Sequence, residues 1–303
     1  MSLDSIAYVV LAHEAPRTLD ALLQELAPAP TFVHLDLQAR SRLLRDVPSL
    51  ALASVTVSKR CRCLHWGGYS VVEAMLETLE LALSATTDRQ ERFVFLSGQC
   101  LPLRPLEEFA HYLLEDAPLV LCRGYSLREH PTPTMAMERV TRSHWLDGTL
   151  GHLRKKGFRH MAALTRHALK AARVCEPALP GNLQHAAGSQ WTAIPRKLAV
   201  ELVAAYRDGK FRYLKNSYAP DEVVIPTYVY NTSWARHTLF GELEPATSPT
   251  MAGYSNFHWL RPSMSGTVDS HDVDLALASK AYFIRKISLE QDPSLKQRIE
   301  SSW

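Results

Sequence analysis

The segment "IAYVVLA" (residues 6–12) is a short, continuous apolar run, which is typical of a strand covered on both faces. The next segment, "RTLDALLQEL" (17–26), carries apolar residues at helical spacing, and "TFVHLD" (31–36) is again strand-like. The alternation continues, with strands predicted over 49–58 and 118–124, a strand that runs into a Gly/Pro loop over 92–103, and helices over 69–85 and 106–116. This rhythm predicts an α/β fold with a mostly parallel central sheet flanked by helices.

The carboxyl ends of the predicted strands indicate where a ligand would bind, because open sheets of this kind bind ligands beyond those ends. The residues there are Ala12 and His13 after the first strand, Asp36 after the second, and 97–99 after a later one. We therefore expect these residues to line a binding site.

The second half of the chain is organised differently. Residues 125–187 are less regular, and we interpret them as an insertion over the open end of the sheet. The regular pattern returns in "SQWTAIP" (189–195), a predicted strand, and "RKLAVELVAAYRD" (196–208), a predicted helix, whereas "DEVVIPTYVYN" (221–231) fits either a helix or an extended segment. Since no repeat, low-complexity tract or linker interrupts the chain, the simplest interpretation is a single domain over 1–303.

The charge distribution disfavours nucleic-acid binding. A net charge of +3 over 303 residues is small, whereas such proteins usually carry a concentrated basic stripe. The local exception is 152–173, which holds seven Lys/Arg and three His and is either a solvated helix face or a surface that contacts anionic lipid.

The remaining composition favours a soluble protein in a reducing compartment. No apolar run reaches the ~20 residues that a membrane span needs. The five cysteines are irregularly spaced, which disfavours a disulfide framework. Cys61-x-Cys63 has neither the spacing nor the second pair of a zinc site.

The familiar phosphate-binding motifs are absent, since the sequence contains neither G-x-G-x-x-G nor G-x-x-x-x-G-K-[ST]. One D-x-D occurs, at Asp272 and Asp274. It could hold a divalent metal, but we favour a helix start in which Ser270 is the N-cap and the aspartates occupy the first turn.

Four short segments carry other candidate chemistry, each with a structural alternative. Arg285 and Lys286 are either a solvated basic pair or a diphosphate clamp. Asp221 and Glu222 either cap an element or take part in catalysis. The segments 66–68 ("WGG") and 188–191 ("GSQW") are, taken alone, turns beside core tryptophans.

Together these pieces resemble the core-2/I-branching β-1,6-N-acetylglucosaminyltransferases (glycosyltransferase family 14), which include peptide O-xylosyltransferases and bacterial relatives. The matching blocks follow the family's order: "YVVLAH" (8–13), "FVHLD" (32–36), "HWGGYSVVEAMLETLELAL" (65–83), "FVFLSGQCLPLRPLEEF" (93–109), "GSQWTAIPRKLAVELV" (188–203), "YAPDEVVIPT" (218–227) and "FHWLRP…LALASKAYFIRKI" (257–287).

The resemblance implies a GT-A type nucleotide-sugar fold and an inverting mechanism without a metal. On this basis Glu222 is the expected general base, and Arg285 with Lys286 holds the diphosphate. The further donor-binding residues expected from the family are Val10, Asp36 and Arg261. The donor and acceptor pocket is expected to include His13, Trp66, Ser97, Gly98, Gln99, Ser189, Trp191, Asp221 and Trp259.

The resemblance also divides the chain by role. It implies a nucleotide-binding half over 1–124, a variable acceptor-side insertion over 125–187, and a catalytic and diphosphate-binding half over 188–303. The family's eukaryotic members carry a membrane anchor and disulfides that this sequence lacks. We therefore expect a bacterial, cytoplasmic member, at the inner face of the plasma membrane if 152–173 contacts lipid.

The expected activity is transfer of N-acetylglucosamine from its UDP-sugar to a hydroxyl of a bacterial surface glycan precursor, which could be lipid-linked. No cofactor is expected. Two alternatives remain: a xylosyltransferase that uses UDP-xylose, and a non-catalytic nucleotide- or glycan-binding protein on the same fold.

Overall fold

The computed structural model describes residues 3–144, 146–147, 159–171, 179–248, 250–264 and 266–303. Within these ranges the strands are β1 (Ile6–Ala12), β2 (Thr31–Leu35), β3 (Val55–Val57), β4 (Arg92–Ser97), β5 (Leu101–Pro102), β6 (Tyr125–Ser126), β7 (Ala186–Ala187), β8 (Ala193–Pro195), β9 (His258–Leu260) and β10 (Phe283–Arg285). The α-helices are α1 (Pro16–Leu26), α2 (Arg40–Asp46), α3 (Tyr69–Ala85), α4 (Leu106–His111), α5 (Pro133–Thr141), α6 (Arg159–Ala171), α7 (Arg196–Arg207), α8 (Val224–Tyr230), α9 (Ser270–Leu277) and α10 (Ser294–Glu300).

The central sheet has the strand order β3-β2-β1-β4-β8, and its first four strands are parallel. Every residue of β1 is buried, as expected for the middle strand of a sheet that is covered on both faces. Helix α3 packs against β1 and β2, α7 packs against β4 and β8, and these two helices contact each other. The predicted α/β class, with a mostly parallel central sheet flanked by helices, is confirmed.

The strand register brings three carboxyl ends to one edge of the sheet. Ala12 in β1 is level with Leu35 in β2, and Leu11 is level with Ser97 in β4. Strand β8 runs antiparallel to β4, so residues just before β8 reach the same edge.

A second, three-stranded sheet has the order β5-β10-β9. Strands β9 and β10 are parallel, with Leu260 level with Arg285, so Arg261 and Lys286 each follow the end of a neighbouring strand. The last strand of the chain is therefore the central strand of this sheet.

Three predicted strands differ from the structure, and one of them, 189–195, is a strand only over Ala193–Pro195. Only 55–57 of the predicted strand 49–58 is extended, because Pro48 begins a 3-10 turn over Pro48–Ala51. The segment 118–124 forms only an isolated bridge between Leu121 and Ala193. The pairing of this segment with β8 ends at Leu121, because the backbone amide of Arg123 donates to Oδ1 of Asn256 instead of to a strand.

The first turn of α9 also corrects a prediction. Asp269, and not Ser270, is the N-cap, and it forms a capping box with Asp272. The preference for a helix start at the D-x-D is confirmed, since the helix spans Ser270–Leu277. The segment 221–231 is helical, as a 3-10 turn over Pro220–Glu222 followed by α8.

Candidate active site

The carboxyl edge of the central sheet opens into a cavity of about 600 Å³, which we call the main cavity. His13, Asp36 and Ser97, which follow or end β1, β2 and β4, all line it. Its volume suits a small organic ligand. The predicted position of the binding site, beyond the strand ends, agrees with this cavity.

Ten of the predicted site residues line the main cavity. They are His13, Asp36, Trp66, Ser97, Ser189, Trp191, Asp221, Glu222, Arg285 and Lys286. These residues are distant in the sequence. They line one cavity because β8 begins, and β10 of the second sheet ends, near the carboxyl edge of the central sheet.

The other five predicted residues lie elsewhere. Val10 is fully buried within β1, and Gly98 packs so closely on Ala12 that a Cβ atom there would be 2.9 Å from the Cβ of Ala12. Gln99 lines an adjoining cavity, which shares His13 and Asp36 with the main one. Trp259 lines a third cavity, which shares Leu260 with the main one.

Arg261, the fifth, is engaged in ion pairs at the start of α9. Its Nε donates to Oδ2 of Asp272 at 2.9 Å, and its Nη2 donates to Oδ2 of Asp269 at 2.8 Å. Arg261 does not line the main cavity, although its neighbour Leu260 does. A phosphate contact by Arg261 would therefore require this pairing to change.

Glu222 is positioned by the 3-10 turn Pro220–Glu222 and by its own backbone. Its carbonyl oxygen accepts a bond of 2.9 Å from the amide of Gly188, which joins it to the segment before β8. Its side chain is 25% exposed, and Oε2 accepts a bond of 2.7 Å from Nη2 of Arg139. Within the described residues Oε1 has no partner, so one carboxylate oxygen is anchored and the other is available to a ligand.

Asp221, the preceding residue, is in a different environment. It is buried, and its Oδ1 has no hydrogen-bond partner among the described residues. Burial and the charge of Glu222 raise the pKa of Asp221 to about 7, against the opposing effects of its backbone hydrogen bond, Arg139 and Arg285. The two carboxyl groups therefore differ in exposure, since Asp221 is buried and the Glu222 side chain is 25% exposed.

Arg285 and Lys286 supply positive charge to the main cavity. Burial lowers the pKa of Arg285, although Cys100, Asp221 and Glu222 oppose the change. Burial also lowers the pKa of Lys286, and the charge of Arg285 lowers it further. The positive charges of Arg285 and Lys286 are thus not fully balanced by protein carboxylates, and this favours an anionic ligand beside them.

Buried polar atoms without partners cluster at this cavity. Besides Oδ1 of Asp221, Oε1 of Gln190 and Nε of Arg285 have no partner among the described residues. All three residues line the cavity. Because buried polar groups are nearly always hydrogen-bonded in native proteins, these atoms indicate a polar ligand.

Asp36 is a structural carboxylate at the cavity wall. Its Oδ1 accepts a bond of 2.7 Å from the amide of Gln38, and its Oδ2 accepts one of 3.0 Å from the amide of Leu64. Asp36 therefore holds the segment that carries Leu64, His65 and Trp66 against the end of β2.

Asp147 fixes the start of α3 in place of a conventional cap. Its Oδ1 accepts a bond of 2.6 Å from the hydroxyl of Ser70 and lies 3.2 Å from Nδ1 of His65, while its Oδ2 accepts a bond of 3.0 Å from the amide of Ser70. Gly68 is required here, because a Cβ atom would collide with the Asp147 carboxylate. This contact brings Leu146, from the insertion, to the main cavity.

The two tryptophans of the cavity differ from each other. Trp66 is 65% exposed and meets Tyr218 edge-on, so the expectation of a core tryptophan is wrong there. Trp191 is buried, and its amide donates a bond of 3.2 Å to the hydroxyl of Ser189. Both residues nevertheless line the cavity.

Sequence reasoning missed several residues of the site. His65 and Gln190 lie inside quoted blocks, so their positions could have been included. Arg139 and Leu146 lie in the insertion, where no local pattern distinguishes them.

The described ranges contain no group of three or more His, Cys, Asp or Glu side chains arranged to hold a metal ion. Asp272 pairs with Arg261, and Asp274 accepts bonds of 2.8 and 2.6 Å from Arg298. None of the helices in the described parts of the chain has the length and apolar character that crossing a membrane requires.

The sheet edge, the carboxylates Asp221 and Glu222, and the cations Arg285 and Lys286 meet at the main cavity. Residues 6–120 match the family model described as Core-2/I-Branching enzyme. This stretch is therefore similar to that family, in agreement with the resemblance noted above, and the similarity supports glycosyl transfer as the general activity. The matched stretch ends before Glu222 and Lys286.

The search of solved structures found mouse xyloside xylosyltransferase 1 in its apo form, with 12% identity and a TM-score of 0.32. The match covers 76% of this chain and 83% of the mouse chain. A likeness at so low a TM-score carries no argument about the fold or the activity. No curated protein matches the chain.

Proposed function

We propose that this glycosyltransferase moves a sugar from a UDP-sugar to a hydroxyl of a glycan acceptor, with inversion at the anomeric carbon and without a metal. The observation that supports this most is that Glu222 and the pair Arg285–Lys286 line one cavity. A base and a site for the leaving diphosphate are the two elements that such a reaction needs.

In this mechanism the acceptor hydroxyl donates a hydrogen bond to Oε1 of Glu222. Its oxygen attacks the anomeric carbon as the bond to the diphosphate oxygen breaks, and its proton passes to Glu222. The electron pair of the broken bond leaves with UDP, whose new negative charge lies beside Arg285 and Lys286. A single carboxylate suffices because the reaction is a single displacement, unlike retaining glycoside hydrolysis.

Metal independence is part of the proposal. Arg285 and Lys286 would neutralise the diphosphate, which is the role that a divalent ion has in other transferases. The aspartates of the D-x-D are bonded to Arg261 and Arg298, and neither lines the main cavity.

The donor that we propose is UDP-N-acetylglucosamine, and the alternative is UDP-xylose. The unpartnered atoms of Asp221, Gln190 and Arg285 offer both donors and acceptors to hydroxyl or amide groups of a sugar. Thermal stabilisation by each UDP-sugar would distinguish the two, and stabilisation by UDP-xylose alone would reverse this assignment.

The acceptor that we propose is a bacterial surface glycan precursor, handled in the cytoplasm at the inner face of the plasma membrane. The basic stretch 152–173 lies partly outside the described residues, but 159–171 form α6. On α6, Met161 is 56% exposed and Leu164 is 70% exposed. Exposed apolar side chains on a basic helix suit contact with an anionic bilayer.

Co-sedimentation with vesicles of phosphatidylglycerol or phosphatidylcholine tests this contact. We expect binding to the anionic vesicles and its loss in Met161→Asp/Leu164→Asp, while Leu239→Asp, at another exposed leucine, leaves binding unchanged. Equal binding by all three proteins would contradict the proposal.

Glu222→Gln tests the catalytic assignment against the non-catalytic alternative. We expect sugar transfer to fall by about 10²–10⁴-fold, the usual contribution of a general base, while UDP still binds. The matched control is Glu138→Gln, which removes a surface carboxylate paired with Arg142. Near-wild-type transfer by Glu222→Gln would exclude Glu222 as the base, and UDP binding without turnover of any donor by the wild type would favour the non-catalytic alternative.

A further inference from the structure

Arg139, on α5, contacts the proposed base from behind the cavity wall. Its side chain is only 14% exposed, and it does not line the main cavity. Its Nη2 donates to Oε2 of Glu222 at 2.7 Å and to the carbonyl oxygen of Ala219 at 3.1 Å. Nη2 of Arg139 thus bridges the carboxylate of Glu222 and the backbone carbonyl of Ala219.

Arg139 also contacts the residues that precede Glu222 in the chain. Its carbonyl oxygen accepts a bond of 2.8 Å from the amide of Tyr218, and its guanidinium lies 5.9 Å from the centre of the Tyr218 ring. Arg139 therefore contacts three residues of the segment 218–222 through both backbone and side chain.

The held segment contains an unfavourable backbone conformation. Ala219 has φ 46° and ψ 57°, the left-handed region that residues with a Cβ atom rarely occupy. Its amide donates a bond of 2.8 Å to the carbonyl oxygen of Gly67, and its carbonyl oxygen accepts the bond from Arg139. The hydrogen bonds to the amide and the carbonyl oxygen of Ala219 hold the residue in this strained conformation. Strain of this kind is common at functional sites.

The charge of Arg139 is suited to this role. Burial acts to lower the pKa of Arg139, but the charges of Glu222 and Tyr125 outweigh it, so the pKa is raised and the guanidinium stays cationic. Its position in the chain is equally important, since α5 belongs to the insertion 125–187. The ends of that insertion pair as β6 and β7, directly before Gly188, whose amide bonds the carbonyl oxygen of Glu222.

We propose that Arg139 is a positioning residue that anchors Oε2 of Glu222, so that Oε1 faces the acceptor hydroxyl. The insertion then sets the geometry of the base as well as forming the acceptor side of the cavity. This inference rests on the proposed function, because it assigns Arg139 an effect only through Glu222.

Arg139→Met should lower kcat by about 100-fold, which is typical when a catalytic group is misplaced by about 1 Å. The KM for the UDP-sugar and the affinity for UDP should stay unchanged, since Arg139 is outside the cavity. Arg139→Lys should recover part of kcat, because an ammonium keeps the charge but not the geometry of the guanidinium. The matched control is Arg142→Met, which removes a surface arginine of the neighbouring segment and should leave kcat unchanged.

A double-mutant cycle separates positioning from general damage. If Arg139 acts through Glu222, the double variant Arg139→Met/Glu222→Gln is no slower than Glu222→Gln alone. The inference would be overturned if the kcat of the double variant fell by the product of the two single effects, or if Arg139→Met raised the KM for the UDP-sugar. If Arg139→Met does not fold, Arg139→Lys with and without Glu222→Gln provides the same cycle.

The two levels of proposal can fail separately. Near-wild-type transfer by Glu222→Gln would remove the proposed function itself. Inactive Glu222→Gln together with a fully active Arg139→Met would leave that function in place and overturn only the role of Arg139.

Discussion

The guanidinium of Arg285 lies over the indole ring of Trp191, with its central carbon 4.8 Å from the ring centre. The stacking is a cation–π contact that fixes the guanidinium plane without using its hydrogen-bond donors. Arg285 can therefore direct those donors at a ligand, and its Nε has no partner among the described residues. Trp191 is thus a support for Arg285 as well as a wall of the cavity.

Removal of either cation at the end of β10 should weaken product binding. We expect Arg285→Met and Lys286→Met each to lower the affinity for UDP by about 10–100-fold, because hydrogen bonds to charged groups contribute roughly 1.5–3 kcal/mol. Titration calorimetry with UDP measures the effect. Arg298→Met, which removes a surface partner of Asp274, is the control and should bind UDP normally. Unchanged affinity in both cavity variants would exclude the diphosphate assignment.

Asp221→Asn should change how stability depends on pH. Burial and Glu222 raise the pKa of Asp221 from 3.8 to about 7, so between these values the folded protein holds a proton that the unfolded chain has lost. Stability therefore falls as the pH rises through this window and levels off above it.

Asparagine carries no such proton, so the variant should gain stability relative to the wild type from about pH 4 to pH 7, by on the order of a few kcal/mol. Thermal unfolding of both proteins across this range is the measurement, and parallel curves would contradict the prediction. Because we assign proton transfer to Glu222, Asp221→Asn should retain more turnover than Glu222→Gln.

Asp147→Asn should destabilise the start of α3. Burial acts to raise the pKa of Asp147, but hydrogen bonds from His65 and Ser70 outweigh it and lower the pKa. An ionised carboxylate at this helix start satisfies an amide and interacts favourably with the helix dipole, so its loss should cost about 1–2 kcal/mol.

Chemical denaturation measures this cost, with Asp274→Asn as the control. Asp274 forms a half-exposed pair with Arg298, so that variant should change stability by less than about 1 kcal/mol. Equal losses in the two variants would show that Asp147 has no special role.

Sugar transfer should be retained in EDTA, and added Mn²⁺ should give no increase. The physical reason is that Arg285 and Lys286, which line the main cavity, would neutralise the diphosphate in place of a metal if the proposed function is right. A rate assay in chelator, with and without Mn²⁺, is sufficient. Complete loss in EDTA with recovery in Mn²⁺ would reassign charge neutralisation to a metal, and Asp272→Asn would then be expected to abolish transfer.

The central sheet was predictable because its strands are buried on both faces and read as continuous apolar runs. The same criterion failed for 49–58 and 118–124, where Pro48 and a competing side-chain acceptor, Asn256, end the pairing. Apolar composition indicates burial, but pairing depends on partners that are distant in the sequence.

The site was predictable where local sequence determines it. His13 and Asp36, selected at strand ends, line the same cavity as Glu222 and Lys286, selected by the family order, and their roles in binding and catalysis stay predictions. Arg139 could not be found this way, because its contact with Glu222 joins positions 83 residues apart across an irregular insertion. A lone arginine in a short helix has no pattern that separates it from a surface charge.

The main cavity is lined by residues from both ends of the chain, including Leu11 of β1 and Lys286, which directly follows β10. The amide of Leu289, just beyond Lys286, bonds the hydroxyl of Thr18 near the start of α1, so these distant segments close on each other. During synthesis on the ribosome, the central sheet can pair long before residue 286 emerges, but the nascent chain then lacks both cations. The cavity is therefore incomplete on a partly made chain, and a ligand that needs both cations can bind only when translation has passed Lys286.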